Sequence, residues 1–216
     1  MQKIDKSTIR STAYKAWVEG LSAKHPAYSS SQTYVKDIKM SLLACQNGLC
    51  AYTEELLCDR ALLSDDNWED GKYIGDLTNQ NLVNGDLEHF DCTLKDTHGY
   101  LWDNLFMVNS NINCRVKGTK SIDNILKPDC DTYDPYVYLQ FDDKINVFIA
   151  NQNLSDKDKI KVEEMIIVLG INSNAFKRER QIKDLKENIE LGLSLPEPDE
   201  YITAWNMTKE NLESSV

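Results

Sequence analysis

The densest set of reactive side chains in this sequence lies between residues 85 and 118. It comprises an acid next to a histidine, a later asparagine, and a polar stretch that ends in a lysine: Glu88, His89, Asn104, Asn113, Cys114, Arg115 and Lys117. An imidazole with a pKa of about 6.5 can take a proton from water near neutral pH. Carboxylate and amide oxygens can hold Mg²⁺, which neutralises charge on a scissile phosphate. Together these are the residue types that a metal-dependent phosphodiesterase requires.

Two short strand-like runs and a helix must position these side chains. The runs are GDLEHFDC, residues 85–92, and LWDNLFMVN, residues 101–109, with a glycine-bearing turn between them. Ser110 is a suitable N-cap for the helix NINCRVKG, which Gly118 would end. The pattern therefore predicts a strand, loop, strand, helix unit that carries the acid and histidine on its first strand.

The stretch NGLCAYTEE, residues 47–55, has the frame of a zinc-binding turn but lacks the second cysteine. Closed zinc sites normally take paired Cys or His ligands at short spacing. None of the six cysteines stands in a CxxC pair. We therefore expect no structural zinc, and we expect the cysteines to be reduced thiols.

Composition and charge limit the class of protein. A chain of 216 residues with 41% hydrophobic and 27% charged residues is typical of one or two tightly associated globular units. The net charge of −11 argues against broad binding of nucleic acid by the chain alone, because Lys and Arg supply most phosphate affinity. We find neither an apolar run of about 18 residues nor a signal peptide. The expected location is cytoplasmic, without membrane association.

Helices are predicted on both sides of the central unit, which gives an α+β fold. Residues 7–45 have helical periodicity with a Pro- and Ser-rich break, and YVYLQF and INVFIA are typical of a hairpin. Two further helices are predicted near 155–170 and 173–191. The predicted divisions are an N-terminal helical segment (1–47), the central core (48–120), a hairpin and helical part (121–195) and a peripheral C-terminal arm (196–216).

The predicted helix near 173–191 is amphipathic. Its apolar residues, such as Phe176 and Leu185, should face inward, and its basic residues, such as Arg178, should face outward. A solvated helix face is the favoured interpretation of the basic residues, and a phosphate-contacting face is the alternative.

The motifs LEHF, WDNL and CRVKG on a ββα frame resemble the HNH nuclease superfamily, whose pattern is Asp/Glu-His, Asn-Leu, and His or Asn shortly before Lys. Three longer stretches resemble one HNH family, the nuclease component of Septu-type and retron-associated bacterial antiphage systems. They are LLACQNGLCAYTEE, ILKPDCDTYDPYVYLQFDDKINV and EEMIIVLGINSNAFKRERQ. The similarity covers most of residues 37–185. It implies an HNH ββα-metal core with flanking helices and a β-hairpin.

The resemblance also implies roles for individual residues. His89 would be the general base, and Glu88 would be a carboxylate ligand of Mg²⁺ or Mn²⁺. Asn104 would orient the His89 side of the site. Lys117 would contact a phosphate, with Arg115 as a second substrate-binding residue.

Cys114 departs from the family pattern. It stands where the family has its final His or Asn, the second metal ligand, and a thiolate is a poor ligand for a hard ion such as Mg²⁺. Three outcomes remain open. Asn113 replaces Cys114 after a small local shift, the metal is held weakly, or the site is impaired.

Zinc-bearing relatives clamp the ββα unit with two CxxC pairs. The corresponding positions in this chain are Cys50 with Thr53, and Ser110 with Asn113. Hydrogen bonds among such side chains can replace a metal clamp. We therefore expect an ordinary polar and apolar contact at this place.

Two functions follow from the resemblance. The first is a metal-dependent HNH endonuclease that cleaves DNA or RNA as the effector of an antiphage complex with an SMC- or ABC-like ATPase. The second is a non-catalytic HNH-fold adaptor that binds the ATPase through its helical ends. A retron reverse transcriptase with its RNA and DNA is a further partner that the resemblance allows. A structure without a ββα unit at 85–118 would instead favour a generic helical regulator.

Overall fold

The computed structural model describes residues 1–21, 25–77, 82–193 and 198–213. It combines helices with small antiparallel sheets, which confirms the α+β class. The chain forms two compact units. The site unit consists of Ile4–Ala51 and Leu56–Ile122, and the helical unit consists of Met1–Lys3, Tyr52–Glu55 and Asp123–Val216. In the described part of the chain, no helix is both long and apolar enough to cross a membrane.

The site unit contains the predicted strands and short helix. Its elements are α1 (Thr12–Gly20), α2 (Val35–Cys45), β1 (Trp68–Glu69), β2 (Lys72–Tyr73), β3 (Asp86–His89), β4 (Leu105–Val108) and a π-helix, π1 (Ile112–Lys117). Strands β3 and β4 are antiparallel, and Leu87 lies opposite Met107. The N-terminal helices α1 and α2 belong to this same unit.

The start of π1 differs by one residue from the prediction. We expected Ser110 to cap the helix, but the residue before π1 is Asn111, which makes no side-chain cap bond; its N–H donates to Oδ1 of Asn109 at 2.9 Å. The backbone carbonyl of Asn109 also accepts the N–H of Asn113 at 3.0 Å. An asparagine directly after β4 therefore ends the strand and bonds the turn that leads into π1.

Gln46, in the turn after α2, attaches that turn to β4. Its buried side chain accepts the N–H of Met107 at 2.9 Å and donates to the carbonyl of the same residue at 2.8 Å. The N–H of Ala51 also donates to the Met107 carbonyl, at 3.0 Å. These bonds satisfy the backbone N–H and carbonyl of Met107, as hydrogen bonds from a neighbouring strand would.

Of the positions expected to form a contact in place of a zinc clamp, Cys50 bonds the backbone of a different residue, Asn109. The Cys50 sulfur accepts a hydrogen bond from the N–H of Asn109 at 3.4 Å, so the turn is tied to the start of π1. Thr53 belongs to the helical unit. All six cysteines are free thiols.

Aromatic side chains of α1 support the loop that precedes β4. The Tyr14 hydroxyl donates to the carbonyl of Tyr100 at 2.8 Å, and the ring of Trp17 meets the ring of Tyr100 edge-on at 5.1 Å. Trp102 and Phe90 are buried in the same unit. Both side chains are therefore part of the core of this unit.

The helical unit contains the remaining elements. They are α3 (Pro135–Tyr138), β5 (Leu139–Asp142), β6 (Val147–Ala150), α4 (Asp156–Val168), α5 (Ala175–Glu190) and α6 (Ile202–Glu213). The hairpin is confirmed as β5 and β6. Its first predicted residues form α3 instead, because Asp134 caps the N–H of Tyr136 at 2.9 Å and Pro135 occupies the first helical position.

Two predictions about α5 are wrong. Phe176 is 70% exposed, whereas Arg178 is 1% exposed. The Arg178 guanidinium donates to the carbonyls of Ile171 and Asn146 and to Oδ1 of Asn172, at 2.8, 3.1 and 2.9 Å. A buried charge is tolerated when its donors find such acceptors. Helical periodicity alone does not reveal them.

The predicted peripheral arm begins at residue 196, outside the described residues, but its later part is not peripheral. Helix α6 buries Thr203, Ala204, Trp205, Met207 and Thr208. Glu54 holds the start of this helix, because its carboxylate accepts the N–H of Thr203 at 2.8 Å and the hydroxyl of the same residue. Helix α6 is therefore part of the core of the helical unit.

Candidate active site

His89 is the last residue of β3, and its imidazole is buried. The Nε2 atom is 2.9 Å from the carbonyl oxygen of Gly99. Because a carbonyl only accepts hydrogen bonds, the neutral imidazole carries its proton on Nε2. The electron pair that can accept a proton is therefore on Nδ1. An imidazole in this form can accept a proton.

The surroundings of His89 favour the neutral imidazole. Burial lowers the pKa of His89, and the charges of Lys95 and Lys117 lower the pKa further, against the opposing effect of the bond to Gly99. The ring of Tyr28 meets the imidazole edge-on, with ring centroids 5.0 Å apart. His89 is thus held in its basic form at neutral pH.

Another part of the backbone passes very close to Gly99, the residue whose carbonyl bonds His89. A Cβ at Gly99 would lie 2.5 Å from the backbone nitrogen of Tyr28 and 2.8 Å from the carbonyl oxygen of Lys95. Those two atoms already share a hydrogen bond of 3.1 Å. Only a glycine fits beside this pair without displacing it.

Asn104 lies directly before β4 and binds the backbone that leaves β3. Its Oδ1 accepts the N–H of Asp91 at 2.7 Å, and its Nδ2 donates to the carbonyl of Asp91 at 3.0 Å. Its own carbonyl accepts the N–H of Phe90 at 2.8 Å. Asn104 therefore acts on the His89 side of the site through the backbone and not by contact with the imidazole.

Lys117, at the end of π1, reaches back to β3. Its side chain is 1% exposed and forms an ion pair with the carboxylate of Glu88, which is also buried. It also donates to the backbone carbonyl of His89 at 2.9 Å. Burial raises the pKa of Glu88, and the charge of Lys117 opposes this rise. Lys117 thus lies inside the unit and does not face solvent, where a phosphate would approach.

Asn113, not Cys114, faces β3. The Asn113 side chain is half-buried, and its Nδ2 lies 3.4 Å from the carbonyl oxygen of Leu87. Cys114 and Arg115 are exposed. In this π-helix the N–H of Gly118 bonds the carbonyl of Asn113, five residues back, at 3.0 Å. This wider winding determines which side chains face the strands.

The donors near Glu88 do not fit a resident Mg²⁺ or Mn²⁺ as they are placed. Among the described residues, no group of three or more His, Cys, Asp and Glu side chains is arranged to hold a metal. The only carboxylate in the predicted ligand set is that of Glu88, and it faces an ammonium group. Mg²⁺ needs several oxygen ligands, and a second cation at this carboxylate would be repelled. No catalytic step is therefore assigned to a metal.

The structure brings together Glu88, His89, Asn104, Asn113 and Lys117, and it leaves Cys114 and Arg115 at the surface. Nothing in the sequence indicated the roles of Tyr28, Lys95 and the Gly99 carbonyl. A backbone carbonyl has no side-chain signature. The position of Gly99 between two predicted strands indicated a turn and nothing more.

Comparison with known proteins adds no family assignment. No protein-family model matches the chain, and no curated protein matches it significantly. The roles of the site residues therefore depend on their geometry.

Proposed function

We propose that the site unit is an HNH-type nuclease core that hydrolyses phosphodiester bonds of nucleic acid, with His89 as general base. The observation that carries this proposal is the bond between His89 Nε2 and the Gly99 carbonyl. It places the basic electron pair on Nδ1 of a buried, neutral imidazole. The order of β3, β4 and π1 around this imidazole supports the same proposal.

In the proposed reaction, Nδ1 of His89 takes a proton from a water molecule as the water oxygen attacks phosphorus. The bond from phosphorus to the leaving oxygen breaks, and the leaving oxygen receives a proton from solvent. The imidazolium that forms keeps its Nε2–H bond to Gly99, which stabilises the new charge. Asn104 keeps the backbone that follows His89 in place through its two bonds to Asp91.

The charge of the chain supports a partner for substrate binding. With a net charge of −11, the chain has little general affinity for phosphate. We infer that an ATPase subunit presents the nucleic acid, as in the antiphage systems that the sequence resembles. A reverse transcriptase with its RNA and DNA is a further candidate partner.

The test is a cleavage assay of the complex that co-purifies with the chain. Labelled DNA, tRNA and other RNA are each incubated with the complex in Mg²⁺, in Mn²⁺ and in chelator. His89→Ala should lower the cleavage rate by at least about a hundredfold, the usual contribution of a general base. His25→Ala removes another imidazole of the same chain and serves as the matched control. Both variants should assemble normally on size-exclusion chromatography, and cleavage by assembled His89→Ala at the rate of the control would disprove the role of His89.

A non-catalytic adaptor is the second candidate. Helix α4 leaves Ile160 and Ile167 62% and 68% exposed, two turns apart on the same face. Such residues suit a protein partner. Ile160→Asp together with Ile167→Asp should then prevent co-purification. If the intact complex cleaves none of the substrates with either metal, the adaptor is the better proposal.

A further inference from the structure

Lys95 places an exposed ammonium group near the candidate general base. Its Nζ atom lies 5.5 Å from the ring centroid of Tyr28, and the ring centroid of Tyr28 lies 5.0 Å from that of the His89 imidazole. The Lys95 side chain is exposed, whereas the imidazole is buried. A cation over an aromatic face is attracted to that face. The ammonium is therefore held one aromatic ring away from His89 and stays accessible to a ligand.

The charge of Lys95 acts on both residues of the acid–histidine pair. Burial lowers the pKa of His89, and the charge of Lys95 lowers it further. Burial raises the pKa of Glu88, and the charges of Lys117 and then Lys95 oppose this rise. Among the described residues, no carboxylate forms an ion pair with Lys95. Its ammonium can therefore bind an anion without first leaving a carboxylate.

The loop between β3 and β4 positions Lys95 together with the Gly99 carbonyl. The N–H of Lys95 donates to the carbonyl of Cys92 at 3.2 Å, and the carbonyl of Lys95 accepts the N–H of Tyr28 at 3.1 Å. Further along the same loop, the carbonyl of Gly99 bonds His89. One loop therefore carries both the acceptor that orients the base and a cation near it.

The lysine that the sequence resemblance assigned to phosphate binding does not have this access. The Lys117 side chain is 1% exposed, and its ammonium bonds Glu88 and the carbonyl of His89. A phosphate that reached Lys117 would have to displace both acceptors. The exposed ammonium of Lys95 can instead donate a charge-assisted hydrogen bond directly to a phosphate oxygen.

We propose that Lys95 binds the phosphate group whose bond is broken next to His89. The inference rests on the proposed function, since it takes a nucleic-acid phosphate as the ligand. The Lys95 ammonium donates to a non-bridging phosphate oxygen while Nδ1 of His89 takes the proton of the attacking water. Lys95 keeps its own protons throughout, and its charge stabilises the negative charge on the phosphate oxygens. A single contact of this kind is compatible with an acidic chain.

The first test measures binding of inorganic phosphate to the purified full chain by NMR, at constant pH and ionic strength. Phosphate should shift the imidazole signals of His89, which His89→Ala assigns, until the site is saturated. Lys95→Gln should weaken this binding at least about fivefold, because a charge-assisted hydrogen bond is lost. Lys95→Arg keeps the charge and should retain the binding. Lys120→Gln, at another exposed lysine of the site unit, is the matched control and should bind phosphate as the wild type does.

Three results of this titration would overturn the proposal. They are no shift of the His89 signals in wild type, equal phosphate affinity in wild type and Lys95→Gln, and an equal loss of affinity in Lys95→Gln and Lys120→Gln. Because both lysines are exposed, the variants should fold, and the backbone amide spectrum of each variant checks this.

The second test compares the kinetics of the assembled complex with its nucleic-acid substrate. Lys95→Gln should lower kcat/KM at least about tenfold, because the substrate phosphate loses its cation. Lys95→Arg should recover most of the loss, and Lys120→Gln should match wild type. Wild-type kinetics in Lys95→Gln would overturn the role of Lys95 and leave the nuclease function standing. A complex that cuts nothing, while the chain still binds phosphate through Lys95, would refute the nuclease function alone.

Discussion

The side chain of Asn104 bonds both backbone polar groups of Asp91, accepting its N–H at 2.7 Å and donating to its carbonyl at 3.0 Å. Since Asp91 lies two residues after His89, this amide joins the chain leaving β3 to the chain entering β4. The next residue back, Phe90, bonds the backbone carbonyl of Asn104 at 2.8 Å. Asn104 therefore holds the backbone that directly follows His89 in place.

Asn104→Ala should destabilise the protein by about 1 to 3 kcal/mol, since it leaves two backbone groups of Asp91 without their partner. Asn111→Ala, at an exposed side chain in the same unit, is the control and should change stability by less than about 0.5 kcal/mol. Urea denaturation followed by circular dichroism measures both. Equal midpoints for the two variants would contradict the structural role of Asn104.

Gly99→Ala should lower the rate at which the assembled complex cleaves nucleic acid, while the protein remains folded. A Cβ there would lie 2.5 Å from the backbone nitrogen of Tyr28, so the loop and its carbonyl must move away from His89. We expect a loss of about tenfold to a hundredfold in kcat, because a displaced carbonyl no longer fixes the tautomer of the base. Gly20→Ala is the control, since a Cβ there meets nothing within 4 Å. The same kcat for both variants would mean that the carbonyl contact does not matter for catalysis.

Gln46→Leu should destabilise the site unit by about 1 to 3 kcal/mol, because the buried N–H of Met107 loses its acceptor, while the Met107 carbonyl keeps its bond from the N–H of Ala51. Gln152→Leu changes an exposed glutamine and should have little effect. Hydrogen exchange locates the change: the amide of Met107 should lose protection in Gln46→Leu. If that amide stays protected, another group accepts its hydrogen bond, and the role of Gln46 as its acceptor is contradicted.

Arg178→Met should be strongly destabilising, whereas Arg180→Met, two residues further along α5, should be close to neutral. The first variant leaves the carbonyls of Ile171 and Asn146 without their donor. Burial lowers the pKa of Arg178 to about 10, which still leaves it charged at neutral pH. The expected loss is roughly 3 kcal/mol by chemical denaturation. If Arg178→Met has the same free energy of unfolding as wild type, the buried hydrogen bonds of Arg178 are not important for stability.

Cys130 should react faster with iodoacetamide than Cys58. Burial, and then the charge of Asp59, raises the pKa of Cys58 to about 11, whereas hydrogen bonds from Thr132 lower the pKa of Cys130. Because the thiolate is the nucleophile, at pH 8 we expect Cys130 to react at least about tenfold faster. The rate at Cys58 should keep rising up to about pH 11, its own pKa. Peptide mass spectrometry after timed quenching gives both rates, and the reverse order would contradict these environments.

The sequence by itself determined the local features of this protein. Short strand-like runs located β3, β4 and the β5–β6 hairpin, and helical periodicity located the helix beginning after Ser155, whose hydroxyl accepts the N–H of Asp158 at 3.2 Å. The adjacency of Glu88 and His89 was visible because the two residues are consecutive in the sequence. Strand alternation, capping and turn chemistry depend on residues only a few positions apart.

The tertiary structure decided which partners those side chains have. The pairing of Lys117 with Glu88, the burial of Arg178 and the contact of His89 with the Gly99 carbonyl all join groups from different elements. The wider winding of π1 turned Asn113 toward β3 and Cys114 toward solvent. A periodic pattern states which face of an element is apolar, but it does not state which donor, acceptor or charge from elsewhere in the chain will meet that face. Those meetings depend on how the elements pack, because buried polar groups must find partners wherever the fold places them.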